Sequence, residues 1–268
     1  MISQKKDFCF CTLALGNKYR SLAKELANGL KTYFPKTTLL VYTDAPQDFR
    51  EQDNILAFKH HQKGIRYCYN DKRFVIGEAL SRYNSAIFVD ADTKIVASIP
   101  EDIEWLPGIT SGNFLHIFEH SRNKRVSKRL EIIRKLGVKL GIPLENTNYV
   151  HEDLFIITRD GGKEQEFIKQ WGIIANYFEL NHIHTGEGNC IGLAATKVGW
   201  TVQSHNLEPL KKAVKHTFAS RQPDSKTFWD KLKDPKAVSY KIKNQIGYYY
   251  RLNLARLQTL TNFDFYYR

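Results

Sequence analysis

The chain has 268 residues, 42% hydrophobic and 13% aromatic, enough to bury one sizeable core and too apolar for a disordered tail. No stretch reaches the roughly 18 consecutive apolar residues of a membrane helix. The four cysteines (Cys9, Cys11, Cys68, Cys190) form neither a CxxC nor a repeated spacing, which argues against a zinc site and for reduced thiols in a cytoplasmic protein. The formal charge of +12 is uneven: Asn206 to Arg268 carries 13 Lys and Arg against 5 Asp and Glu, while the preceding 205 residues carry 27 against 23.

In chain order, MISQKKDFCFCTLALG is broken by Gly16, Asn17 and Lys18 and lacks a clear cleavage site, so it reads as a first strand and not as a signal peptide. DFCFCTLAL alternates as a strand, KYRSLAKELANGLKTYF has helical spacing and stops before Pro35, and TTLLVYTD is a second strand running into the turn residues Asp44, Ala45 and Pro46. NILAFKH is a short strand, DKRFVIGEALSRY a helix and SAIFVDAD a buried strand. The basic run SRNKRVSKRLEIIRKLGVKLG reads as an inserted amphipathic helix; EDLFIITRD is a strand, followed by the helix EQEFIKQWGIIANYF. This alternation predicts an α/β fold with a sheet covered on both faces and sites at the carboxyl ends of its strands.

Asp90 and Asp92 sit at one such end. On an extended strand, positions i and i+2 share a face, so both carboxylates can converge beyond the strand with small Ala91 between them leaving room for a ligand. Two carboxylates plus phosphate oxygens suit Mg2+ or Mn2+; a capped strand end is the structural alternative. Glu187, between two glycines in GEGNCIGLAA, reads as a loop acid ahead of the helix IGLAATK, acting in a site or capping that helix. Glu152 and Asp153 open an apolar strand, and Asp44 closes one. His182 and His184 would share a face if extended, a pattern more often surface than ligand.

With these residues in view, the chain resembles the GT-A glycosyltransferases, among them the glycogenin-like and bacterial galactosyltransferase group that uses nucleotide-sugar donors (glycosyltransferase family 8-like). Four segments carry the likeness: TLALGNKY at Thr12 to Tyr19, FVDADTKIV, Arg73 seventeen residues before Asp90, and GEGNCIGLAA, similar to the family's G-D-Q-x-x-L-N with Glu187 in place of its Asp. The resemblance implies a Rossmann-like GT-A domain over residues 1–220 with a mixed central sheet, and a helical, basic, aromatic extension over 221–268. It implies donor contacts at Thr12, Leu13, Ala14, Leu15, Tyr19, Arg73, Asp90 and Ala91, metal ligands Asp90, Asp92 and His216 (with His205 the rival), and catalytic carboxylates Glu187 and Glu152. Val150 to Leu154 replaces the family's F-N-S-G-V, which leaves the sugar open, and Leu106 to Tyr149 is longer than the usual connection.

The function expected is a metal-dependent transfer of a sugar from a nucleoside-diphosphate donor, UDP-sugar favoured, to a glycan or other acceptor, with retention. A sugar-phosphate nucleotidyltransferase is the alternative enzyme, although ALGNKYR supplies one Gly where a phosphate loop needs more. A non-catalytic basic module binding nucleic acid or membrane is the third reading; no nucleic-acid motif supports a specific nucleic-acid partner. The interleaving of Lys241, Lys243, Arg251 and Arg256 with Tyr248 to Tyr250, Leu252 and Leu257 points to peripheral contact with an anionic membrane, through a segment expected to be removable without loss of the donor site.

Overall fold

A computed structural model describes residues 7–100, 103–112, 115–119, 127–219 and 235–268. Its first half repeats strand and helix: β1 (Phe8–Ala14), α1 (Asn17–Tyr33), β2 (Leu39–Thr43), β3 (Ile55–Lys59), α2 (Lys72–Arg82) and β4 (Ser85–Val89). Then come β5 (Thr93–Ile95), β6 (Gly108–Ser111), α3 (Ser127–Leu140), β7 (Leu154–Thr158), α4 (Lys163–Leu180), α5 (Glu187–Lys197), α6 (Leu207–Ala213) and β8 (Val214–His216). A helix over Pro235–Thr259 and a short one over Phe263–Tyr267 close the chain.

Six strands form one mixed sheet in the order β3-β2-β1-β4-β7-β6. The β3, β2, β1 and β4 neighbours pair in parallel, whereas β7 runs antiparallel to both β4 and β6. Strand alternation divides the core. Phe10, Ile87, Val89 and Ile156 face α1 and α6, while Cys9, Cys11, Phe88, Phe155 and Ile157 face the layer built by α2, α4 and α5. Burial on both faces is why these strands read as nearly continuous apolar runs.

Two consequences of the topology prepare a site. The chain leaves β1 toward β2 on one side and lies beside β4 on the other, which opens a crevice at the carboxyl ends of β1 and β4. Because β7 is antiparallel, its amino end lies at that same edge, with Val89 opposite Leu154. A separate ribbon pairs β5 with β8 and sets Thr93 opposite His216, bringing a distant histidine to the strand end.

The expected α/β class, mixed sheet and C-terminal helices are observed. The expected strand SAIFVDAD ends earlier, at Val89: Thr93 N–H donates to Asp90 O at 3.0 Å, closing a turn across the two aspartates. The inserted helix covers Ser127–Leu140, and positions 121–126 of that run lie outside the described residues. No helix among the described residues is long and apolar enough to cross a membrane.

Candidate metal-binding site

Asp90 and Asp92 converge through the turn, not through strand alternation as the sequence predicts. The backbone is held from both sides: Asp90 N–H donates to Asp153 O at 3.1 Å, and the Thr217 amide and hydroxyl donate to Asp92 O at 3.0 and 2.7 Å. His216 Nε2–H donates to Asp92 Oδ1 at 2.8 Å, and the Ala219 amide donates to Asp92 Oδ2 at 2.7 Å. The same His216 nitrogen is 3.8 Å from Asp90 Oδ2. Ligand atoms of Asp90, Asp92 and His216 all lie within 4.8 Å of one another, the cluster of metal-ligand type found among the described residues. His205, the rival ligand, is exposed and outside it.

Charge in the site is set by burial and by one lysine. Burial alone would raise Asp92, but His216 and the Ala219 amide outweigh it and hold its carboxyl below the usual range. The bond to Asp92, opposed in part by burial and reinforced by Asp90 and Asp153, raises His216. Burial raises Asp90, and Glu187 adds to it, against the pull of Lys72 and His216. Asp90 still keeps 29% of its side-chain surface open, so it can reach a ligand.

Lys72 is the residue that sequence reasoning missed. The expected donor contact was Arg73, but Arg73 donates to Asn70 O at 2.7 Å, lies over the Phe74 ring at 4.1 Å, and has Asp71 and Glu179 as its acidic neighbours. One residue earlier on α2, and so about 100° around the helix, Lys72 points at β4. Its ammonium sits 4.9 Å from the Phe88 ring centroid, 3.1 Å from Asp90 Oδ1 and 3.3 Å from Glu187 Oε1, and it donates to Glu152 O at 2.8 Å. Burial would lower the Lys72 pKa, but Asp90, Glu187 and Glu152 together raise it, and the side chain stays charged.

Glu187 is the first residue of α5, not a loop acid ahead of it, and no side-chain hydrogen bond caps that helix. Its carboxylate turns to Lys72 instead. Glu152 accepts a hydrogen bond from the Tyr149 hydroxyl. Asp153 stands 3.5 Å from His151 and 3.7 Å from His216 Nδ1, which has no hydrogen-bond partner. Beside them a cavity of about 290 Å³ is lined by Thr93, His151, Asp153, Lys211 and His216.

The segment after β1 divides. Thr12, Ala14 and also Ala91 are buried, leaving Leu13, Leu15 and Tyr19 as the expected contacts with open surface. Tyr19 faces the site: burial and then Asp92 and Asp90 raise its hydroxyl pKa. Asp44 closes its loop, accepting from the Gly16 amide at 3.1 Å and from Arg20 at 2.5 Å. Tyr69, stacked on Tyr67, borders the Glu187 side. His182 and His184 pack away from the cluster, with His184 edge-on to Tyr248.

The chain matches no protein-family model and no curated protein.

Proposed function

We propose that the protein is a metal-dependent glycosyltransferase of the GT-A type, moving a sugar from a nucleoside-diphosphate donor, UDP-sugar favoured, to a glycan or other acceptor with retention. The observation that carries this reading is the Asp90, Asp92 and His216 cluster at the carboxyl edge of the sheet, beside the crevice between β1 and β4. Two carboxylates and an imidazole fit Mn2+ or Mg2+, and the buried His216 Nδ1 has no hydrogen-bond partner of its own. A divalent ion bound there would tie a diphosphate to the protein and offset charge on the leaving group.

The protein's own residues supply position. Lys72 holds Asp90 and Glu187 in one electrostatic unit, which fixes the position of both carboxylates. Glu187, anchored by Lys72 on the amino end of α5, and Glu152, oriented by Tyr149, are the carboxylates offered to the reacting sugar. Tyr19 and Tyr69 offer aromatic faces to a base or sugar ring.

A thermal-shift screen of nucleotide sugars tests this reading, because a ligand bound only by the folded state raises the melting point. A Mn2+-dependent rise is expected with one nucleoside-diphosphate sugar in wild type, and none in Asp90→Asn or Asp92→Asn at retained fold. Equal shifts in wild type and both variants would remove the metal assignment. No shift with any nucleotide sugar, together with tight DNA binding, would favour a non-catalytic basic module.

A further inference from the structure

The helix Pro235–Thr259 is apolar on two faces and covered on one. Its inner face packs on the domain: Leu252 is buried, Tyr248 meets His184, and Arg251 Nε donates to Ile65 O at 3.1 Å. The other face carries Ile242, Ile246, Tyr249, Tyr250, Leu254 and Leu257, at i, i+4, i+7, i+8, i+12 and i+15, each 39–67% exposed. That spacing makes one continuous stripe. Lys243 and Arg256 are exposed beside it, and the helix contains no Asp or Glu.

We infer that this stripe lies on an anionic lipid surface, with the helix flat in the headgroup region. Three observations select that occupant. The stripe from Ile242 to Leu257 runs for about 22 Å along one helix, which fits a plane and not a compact pocket. Its apolar centre with tyrosines and a cationic margin is the composition of an interfacial helix, whose cations are drawn to an acidic bilayer. A second copy is disfavoured by symmetry: a two-fold contact would set this cationic face against itself with no carboxylate of the helix to meet it. The inference is independent of the donor-site reading.

The test is co-sedimentation of the full chain with vesicles of phosphatidylcholine alone or with about one third phosphatidylglycerol, at low and high salt. Wild type should bind the acidic vesicles at least about tenfold better than the neutral ones, with the difference fading in salt. Ile246→Ser/Leu257→Ser and, separately, Lys243→Glu/Arg256→Glu should each weaken binding by at least about tenfold at an unchanged melting curve. All four side chains are exposed, so both variants should fold. Wild type that stays in the supernatant with acidic vesicles, or binding that both variants retain, overturns the inference. So does a concentration-dependent dimer that the serine variant disperses, since a second copy would then cover the stripe.

Discussion

Lys72 shows how one residue of helix phase decides what a site contains. It and Arg73 are adjacent cations at the start of α2, and no local pattern separates them in the sequence; only the direction of α2 over β4 assigns one to Asp90 and Glu187 and the other to Asn70 and Phe74. Replacing Lys72 by Met would keep the volume and remove the charge, leaving Asp90 and Glu187 as uncompensated neighbours. Breaking a buried pair in this way typically costs about 3 kcal/mol. The Lys72 contribution is fully present below its unfolded pKa of about 10.4 and is lost only as pH rises through its raised folded value, so measurements near pH 7 capture all of it. Urea unfolding of Lys72→Met should show that loss at pH 7, shrinking in acid as Asp90, whose carboxyl burial raises, takes up its proton. A variant as stable as wild type at both pH values would mean that the three charges are not coupled. Glu187→Gln tests the second carboxylate: turnover should fall far more than donor affinity if it acts on the transition state. An unchanged rate would return Glu187 to a purely electrostatic partnership with Lys72.

At the scale of elements, α5 can lie against the 148–150 segment only because two of its residues lack a side chain. A Cβ on Gly192 would fall 2.0 Å from Asn148 O, and one on Gly188 would fall 2.2 Å from Val150 O, backbone atoms that cannot swing aside. Gly188→Ala and Gly192→Ala should each cost about 3 kcal/mol or more, a drop of about 6–12 °C in Tm for a domain this size. Gly77→Ala on α2, whose nearest neighbour is 4.0 Å away, should leave Tm unchanged or higher. The alternation of β1 to β4 with α1 and α2 was legible because each of those strands except β3 is almost wholly buried, an apolar run with turn residues at its end. The short strands were not: β6 has four residues and β5 and β8 three each, too few to show a period, although the ribbon they form is what carries His216 to Asp92. GEGN at the start of α5 reads as loop because glycine is a poor helix former, and packing overrides that preference. A pH effect belongs here too. Burial pushes Glu179, near the end of α4, up to about 7, while it accepts from the Ile65 amide at 2.6 Å. A raised carboxyl binds its proton more tightly in the folded state, so its stabilisation is lost as pH climbs from the unfolded value of 4.5 to about 7, by about 3 kcal/mol in all. Relative to Glu179→Gln, wild type should therefore lose stability across that window and run parallel to it above. Parallel melting curves at every pH would place the charge of Glu179 in water.

For the whole molecule, the question is whether the basic C-terminal segment is an appendage or part of the domain. Its charge and its distance from the site residues in sequence suggest a detachable anchor, but one of its faces is built into the helical layer. Tyr177 of α4 meets Phe265 and Tyr266 at centroid distances of 5.5 and 6.3 Å, and Lys139 of α3 donates to Asp264 O at 3.2 Å. Arg251 holds Ile65 O, the Ile65 amide is held by Glu179, and the same stretch leads through Asn70 and Asp71 to Lys72. Asp71 in turn accepts from the Lys63 and Gly64 amides and faces His60, so residues 60–72 form one hydrogen-bonded unit between the C-terminal helix and the Asp90, Asp92 and His216 cluster. Ending the chain at residue 234 would expose the surfaces that Leu252, Phe265 and Tyr266 cover, roughly 5 kcal/mol of apolar burial, a large part of the 5–15 kcal/mol that holds a typical domain folded. The truncated protein should melt about 10 °C lower or more, and amide exchange should accelerate at Ile65 and Gly64 before it does in the sheet. The full-length Ile246→Ser/Leu257→Ser protein, altered only on the outward stripe, should show neither change. If the truncated chain instead stays soluble with an unchanged Tm and protected Ile65, the helix is a separate appendage, and the link from Arg251 to Lys72 carries no structural weight.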